Sequence, residues 1–121
     1  MKIAVVGSRA YPDPVEVANF ILSLPLGTII VSGGAEGVDS WAANTAHFVM
    51  GFQTIIKWPD WRNKGKAASF IRNQEIVDEA DEVVMFWNGA SKGTADTCRR
   101  TTKSGKQWRL IQKKEREGEL D

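Results

Sequence analysis

The chain has 121 residues, with 16 Lys and Arg against 15 Asp and Glu, so its formal net charge is +1. This length fits one compact domain, and the near-neutral charge excludes a chain-wide attraction to nucleic acid or to an anionic membrane. The single cysteine, Cys98, excludes an internal disulfide and a cysteine-rich zinc site. We therefore expect a cytoplasmic protein with no metal site, no required cofactor and no membrane partner. Any anion-binding site must come from a local cluster of residues rather than from the net charge.

Short apolar runs and amphipathic segments alternate along the chain. The run 3–6 is apolar at every position and ends in Gly7, which predicts a parallel strand buried on both faces. Asp13 followed by Pro14 is typical of a helix N-terminus. By these criteria we predict strands over 3–6, 28–31, 52–58, 82–87 and 107–111, helices over 13–24, 38–49, 66–79 and 94–103, and a polar loop over 59–65.

The repeated order of strand and helix, with short connections, predicts the fold class. Each crossover must return its helix to one face of the sheet with a right-handed connection. The expected structure is therefore α/β, with a Rossmann-like, doubly wound, mainly parallel five-stranded sheet and helices on both faces. We assign a single domain to 1–111 and a charged C-terminal tail to 112–121.

Three loops rich in glycine and hydroxyl residues follow predicted strands, at 7–9, 32–39 and 89–94. Ligands of open parallel sheets lie at the carboxyl ends of the strands, where these loops meet. A glycine lets the backbone approach a phosphate, and a helix N-terminus adds free N–H donors. The alternative is that these glycines only form tight turns. We predict ligand contacts from Gly7, Ser8, Arg9, Ser32, Gly33, Gly34, Ala35, Gly37, Asp39, Arg72, Asn73, Trp87, Ser91, Gly93 and Thr94.

Charged and aromatic side chains narrow the choice of site. Neither GxGxxG nor GxxxxGK[ST] occurs, so an ordinary dinucleotide fold or a P-loop enzyme is not indicated. Arg9 directly follows a strand and is placed for bidentate phosphate contact. The basic segments 57–72 and 92–109 favour solvated helix faces, with nucleic-acid contact as the alternative. For Trp58, Trp61 and Trp87, core packing is the expected role and base stacking the alternative.

Five short motifs occur in order along 1–111. They are VVGSR at 5–9, VSGGAEGVD at 31–39, Pro, Trp and GKAA within 59–68, IRNQEIVDEAD at 71–81 and FWNGASKGT at 86–94. Together they resemble the SLOG superfamily, which includes the DprA/SMF and LOG proteins, and most closely its small YspA/YpsA-related members. The resemblance implies a Rossmann-like sheet with a site for a nucleotide, or for a nucleotide-derived ligand such as an NAD- or ADP-ribose-like molecule, at the same three loops.

The resemblance also raises a possible activity. LOG-type phosphoribohydrolases cleave the N-glycosidic bond of a nucleoside monophosphate with an arginine and a PGGxGTxxE turn. Arg72 matches the arginine and residues 93–94 match the GT, but Thr97 stands at the position of the glutamate. Asp96 is one residue early, which rotates it by about 100° on a helix. Asp39 and Glu36 are the other acids near the site, at the start of the second predicted helix, where a favourable charge at the helix N-terminus is the expected role and catalysis the alternative. The catalytic candidates are Arg72, Asp39 and Asp96.

Three functions remain open from the sequence. The first is binding or sensing of a nucleotide or nucleotide-derived ligand at the three loops. The second is nucleotide N-glycosidic hydrolysis of the LOG type. The third is DprA-like binding of single-stranded DNA through the two basic segments, with Trp58 and Trp61 as stacking surfaces. SLOG relatives commonly form dimers, so the resemblance also implies a homo-oligomer.

Overall fold

The computed structural model describes residues 1–114, which contain five strands and five α-helices. The predicted alternation of strands and helices is confirmed. The strands are β1 (Lys2–Gly7), β2 (Ile29–Ser32), β3 (Thr54–Ile56), β4 (Glu82–Trp87) and β5 (Gln107–Gln112). The helices are α1 (Pro14–Leu22), α2 (Val38–Asn44), α3 (Trp61–Lys64), α4 (Ala68–Glu79) and α5 (Lys92–Ser104).

The sheet has the strand order β3-β2-β1-β4-β5, and every pair is parallel. This confirms the predicted Rossmann-like α/β class. The chain runs outward from β1 to β3 and then returns to place β4 against the other side of β1. The strand order therefore reverses between β1 and β4, and a crevice opens there at the carboxyl edge of the sheet. The loops after β1 and β4 form the two sides of this crevice.

Both faces of the sheet are covered, as predicted from the uninterrupted apolar runs. Along β1, Ile3 and Val5 pack in one core cluster with α1 and α2, whereas Ala4 and Val6 pack in a second cluster on the side of α4 and α5. Phe86 on β4 belongs to the first cluster and is fully buried. Because alternate side chains of a strand face opposite sides, a strand between two helical layers must be apolar at every position.

Several element bounds differ from the prediction. The predicted loop 59–65 contains helix α3, because the Asp60 carboxylate caps its first turn by accepting from the backbone N of Asn63 at 3.3 Å. The predicted second helix ends in a π-helical turn over Thr45–Val49. Strand β3 is shorter than 52–58, although flanking backbone hydrogen bonds at Gln53 and Lys57 continue its pairing with β2.

The sheet extends one residue beyond the predicted C-terminal boundary of the domain at 111. Strand β5 continues through Gln112, so the first residue of the predicted tail belongs to the sheet. Residues 115–121 of that tail lie outside the described part of the chain. Within residues 1–114, no helix combines the length and the apolar character needed to cross a bilayer. The cytoplasmic location and the homo-oligomer stay predictions.

A substitution at Gly7 tests how closely the end of β1 approaches β4. A Cβ at this position would clash with the carbonyl oxygen of Phe86 and lie 2.8 Å from Val38 Cγ2. We expect Gly7→Ala to lower the free energy of unfolding by about 1–3 kcal/mol, the cost typical of overpacking. The matched variant Gly93→Ala has open space and a helical position, so it should leave stability unchanged or raise it by up to about 1 kcal/mol.

Urea denaturation of both variants measures these changes. Equal stability of Gly7→Ala and the wild-type protein would contradict the close approach of the two strands at this edge.

Candidate functional site

A cleft lies at the carboxyl edge of the sheet, between the loops after β1 and β4 and beside α4. Its larger part, the main chamber, has a volume of about 390 Å³, and a smaller side chamber of about 300 Å³ adjoins it. Arg9, Ala35, Trp61 and Arg72 line both chambers. The two chambers are therefore one continuous cleft, with two arginines where they meet.

The structure brings most of the predicted ligand residues to this cleft. Those that line it are Gly7, Arg9, Gly33, Gly34, Ala35, Asp39, Arg72, Asn73, Ser91, Gly93 and Thr94. Four others do not line it: Ser8, Ser32, Gly37 and Trp87. These four hold the loops in place, through the contacts described next.

The hydroxyls of Ser8 and Ser32 are used inside the protein. Ser8 Oγ donates to Asn88 Oδ1 at 3.1 Å and accepts from the Asn88 backbone N at 3.0 Å, which joins the loops after β1 and β4. Ser32 Oγ donates to the Asp39 carbonyl at 3.1 Å and accepts from the Gly34 backbone N at 3.2 Å. Both side chains are at most 1% exposed, so they shape the cleft rather than face a ligand.

Gly37 and Trp87 also help to position the backbone of neighbouring loops. Gly37 has a φ of +81°, and a Cβ there would lie 2.6 Å from Arg9 Cα. This close approach sets the position of the Arg9 backbone at the cleft. Trp87 Nε1 donates to the Ser91 carbonyl at 3.0 Å and so supports the turn that begins α5.

Arg72 reaches the cleft from α4 and contacts the loop after β2. Its Nη1 donates to the Gly33 carbonyl at 2.5 Å, and its Nε donates to Asn73 Oδ1 at 3.1 Å. A Cβ at Gly33 would lie 2.6 Å from Asp39 Oδ2 and 2.9 Å from Arg72 Nη1. The two opposite charges thus flank a position where only glycine fits.

Asp39 is a buried carboxylate at the base of the main chamber, with 4% of the residue exposed. Burial raises its pKa to about 6, although the hydrogen bond from the Gly7 backbone N at 3.0 Å, the nearby Arg72 charge and the backbone N–H groups of Ala35 and Gly33 act in the opposite direction. The same carboxylate therefore links the loops after β1 and β2.

The main chamber has one more cationic than acidic side chain, because Arg9 and Arg72 line it together with Asp39. Burial lowers the pKa of the Arg72 guanidinium, and repulsion from Arg9 lowers it further, whereas Asp39 opposes the shift. Two guanidinium groups thus face a cleft whose base holds one buried carboxylate. Gly93 and Thr94, in the first turn of α5, also line the main chamber and add the positive end of that helix. This arrangement can bind an anion between the two arginines and the helix.

Asp96 does not join Asp39 and Arg72 in the cleft. Its carboxylate accepts from Asn73 Nδ2 at 3.1 Å and Arg100 Nε at 2.8 Å, and it pairs with Arg99 at 3.3 Å. Burial opposes ionisation, but these partners outweigh it and hold the pKa of Asp96 below its usual value. The residue lines a separate basic pocket between α4 and α5, so the geometry gives the predicted catalytic candidate no direct access to a ligand in the cleft.

Two tryptophans correct the expectation of core packing. Trp58 is 67% exposed and Trp61 is 55% exposed, and both line the side chamber. Both lie outside the sheet, after the last residue of β3. Sequence alone could not separate this position from a core position, because tryptophans at strand ends occur in both settings.

Other cleft residues were missed altogether. Ser69 and Ile76 line the main chamber with Arg72 and Asn73, and this i, i+3, i+4, i+7 spacing marks one face of α4. In the sequence, the same helical spacing around Arg72 points to Ser69 and Ile76 as neighbours on that face. Asn88 and Thr97 also line the chamber. Within residues 1–114, no group of three or more potential metal ligands comes together.

Solved structures with the same fold come from DNA processing protein A (DprA). The DprA structure from Streptococcus pneumoniae has a TM-score of 0.79 and 26% identity, with 99% of this chain and 53% of that chain covered. A DprA structure from Helicobacter pylori, described by its single-stranded DNA binding mode, has a TM-score of 0.68 and 20% identity, with 91% and 64% covered. This chain therefore spans about half to two thirds of the DprA chains.

The likeness supports the DprA part of the resemblance found in the sequence and agrees with the Rossmann-like fold. No protein-family model and no curated protein matches the chain. The narrower resemblance to YspA/YpsA-related members stays a prediction.

The raised pKa of Asp39 predicts a pH-dependent contribution to stability. The carboxyl pKa rises from 3.8 to about 6 on folding, so the folded state binds the proton more tightly. This contribution is complete below pH 3.8 and is lost as the pH rises through about 6. Between pH 4 and 7, the wild-type protein should lose up to about 3 kcal/mol of unfolding free energy relative to Asp39→Asn, which cannot titrate.

Urea denaturation of both proteins at several pH values tests this. Parallel stability profiles over that range would contradict a buried, titrating Asp39.

Proposed function

We propose that the protein binds a phosphate-bearing nucleotide in the cleft, with the phosphate in the main chamber between Arg9, Arg72 and the first turn of α5. The observation that carries the proposal is the convergence of two guanidinium groups on a cleft whose base holds one buried carboxylate. An anion placed between them offsets their mutual repulsion. A guanidinium also matches the geometry of phosphate oxygens better than a point charge does.

The size and shape of the cleft support a nucleotide rather than an inorganic anion alone. The two chambers, about 390 Å³ and 300 Å³, fall in the range typical of small-ligand sites. The main chamber contains the cationic and helix N-terminal groups that suit phosphate. The side chamber is lined by exposed tryptophans that suit a planar base.

The same geometry favours binding over N-glycosidic hydrolysis. Thr97 lines the main chamber at the position where the LOG-type motif has a glutamate, and Asp96 is held by Asn73 and two arginines. Asp39 is the acid that lines the main chamber, and its carboxylate already accepts backbone hydrogen bonds. A ligand in this chamber therefore meets Arg72 without the acid partner that the LOG-type reaction uses.

Single-stranded DNA is a second candidate ligand, favoured by a local feature at the rim of the cleft. The exposed Trp58 and Trp61 lie in the segment 57–66, which also carries Lys57, Arg62, Lys64 and Lys66. Exposed aromatic rings next to cations form a stacking surface for unpaired bases. The single-stranded DNA binding described for the Helicobacter pylori DprA agrees with this candidate. The charge here is local, so the near-neutral net charge does not weigh against it.

Isothermal titration calorimetry with nucleoside monophosphates tests the main proposal. We expect Arg72→Met to weaken binding by about tenfold or more, because a charged hydrogen bond to phosphate is lost. Arg9→Met should act in the same direction, and because Arg9 is exposed, this substitution should leave the fold intact. Lys103→Met removes an exposed cation outside the cleft and should leave the affinity unchanged.

A 12-nucleotide oligonucleotide provides the second arm of this experiment. Binding of mononucleotides with the expected response to the two arginine variants supports the main proposal. Binding of the oligonucleotide alone, with affinity falling steeply as salt rises, would overturn it in favour of single-stranded DNA. Absence of binding in both arms would contradict both candidates.

A further inference from the structure

We propose that the side chamber is a base subsite that selects guanine, with Trp58 and Trp61 contacting the base and the Glu36 carboxylate accepting hydrogen bonds from its Watson–Crick edge. This inference rests on the proposed nucleotide binding and adds the identity of the base. The side chamber is lined by Arg9, Gly33, Gly34, Ala35, Glu36, Trp58, Pro59, Trp61 and Arg72.

The two tryptophans supply the apolar surface of the subsite. A Cβ at Gly34 would lie 2.5 Å from Trp58 Cζ3, so the Trp58 ring packs directly on this glycine. Gly34 also has a φ of +70°, a conformation that side chains other than glycine rarely adopt. The backbone thus supports the Trp58 ring while 67% of the residue stays exposed. Trp61 lines both chambers, which places it where a base joins its sugar and phosphate.

Glu36 supplies the polar contact that distinguishes one base from another. It is the one acidic side chain lining the side chamber, it is exposed, and within residues 1–114 it forms no ion pair. An ionised carboxylate only accepts hydrogen bonds. A donor pair on a bound base therefore suits Glu36 better than a mixed donor and acceptor edge.

Guanine alone among the common bases has two adjacent donors, N1–H and the N2 amino group, on its Watson–Crick edge. Adenine and cytosine place a bare ring nitrogen next to the amino group, which would face the carboxylate with a lone pair. Uracil and thymine flank one N–H with two carbonyl oxygens. A bidentate contact with Glu36 is therefore available to guanine and not to the other four.

The continuity of the cleft links this subsite to the phosphate. Arg9 and Arg72 lie at the junction of the two chambers, so a phosphate held by them leaves the base to occupy the adjoining side chamber. The geometry thus fits a guanosine monophosphate unit, with phosphate, sugar and base arranged along the cleft.

Calorimetric titration with GMP, IMP, AMP and ribose 5-phosphate tests the base subsite. IMP lacks the N2 amino group, so we expect GMP to bind the wild-type protein about tenfold more tightly than IMP. Glu36→Gln replaces one acceptor by a donor. It should reduce the ratio of the GMP affinity to the IMP affinity to near one. Glu75→Gln changes an exposed acid on α4 outside the cleft and should keep the wild-type ratio.

The tryptophans are tested with matched variants. Trp58→Leu should weaken binding of GMP, IMP and AMP together while leaving that of ribose 5-phosphate, which has no base, unchanged, because Trp58 lines the side chamber and not the main chamber. Trp108→Leu alters a tryptophan on β5 that is 44% exposed and does not line the cleft, so it should change none of these affinities.

The outcomes separate this inference from the function on which it rests. Equal affinity of the wild-type protein for GMP, IMP and AMP, or an unchanged GMP-to-IMP ratio in Glu36→Gln, would overturn guanine selection while nucleotide binding stands. Binding of ribose 5-phosphate with no gain from any base would overturn the base subsite. Failure of all four ligands to bind would overturn the proposed function as well.

Discussion

The buried carboxylate of Asp39 is the interaction on which the cleft depends. It accepts from the backbone N of Gly7 at 3.0 Å and lies across Gly33 from the Arg72 guanidinium. A single side chain thereby ties the end of β1 to the loop after β2 and attracts a cation from α4. Desolvation makes a buried negative charge costly, so the Asp39 carboxylate depends on these partners for its stabilisation. The geometry of the proposed anion-binding surface follows from them.

The parallel sheet places this interaction where a ligand can use it. The strand order reverses between β1 and β4, so the loops after these strands separate and leave a crevice. At the base of the two loops, Ser8 and Asn88 join them by hydrogen bonds at 3.0–3.1 Å. Arg9 and the first turn of α5 then face the crevice from its two sides. Two arginines and a helix N-terminus thus face the main chamber of a nearly neutral protein.

The fold and the loop positions were predictable because they follow from local patterns. The uninterrupted apolar run of β1 reports burial on both faces, and Gly7 and Gly33 mark close approaches that a side chain would block. Tertiary contacts between distant segments were not predictable. The exposure of Trp61 depends on where α3 lies, and the orientation of Asp96 depends on Asn73, 23 residues away. Likewise, the inward direction of Ser8 depends on Asn88, in the loop after β4.

The most direct test of the account is a ¹⁵N–¹H correlation spectrum of the protein titrated with GMP. The account predicts that the largest shift changes occur at the backbone amides of 33–37 and 93–94 and at the indole N–H groups of Trp58 and Trp61. These groups surround the two chambers of the cleft. Changes confined to the outer face of α5, around Arg99 and Lys103, or no saturable change at any amide, would contradict a nucleotide site at the carboxyl edge of the sheet.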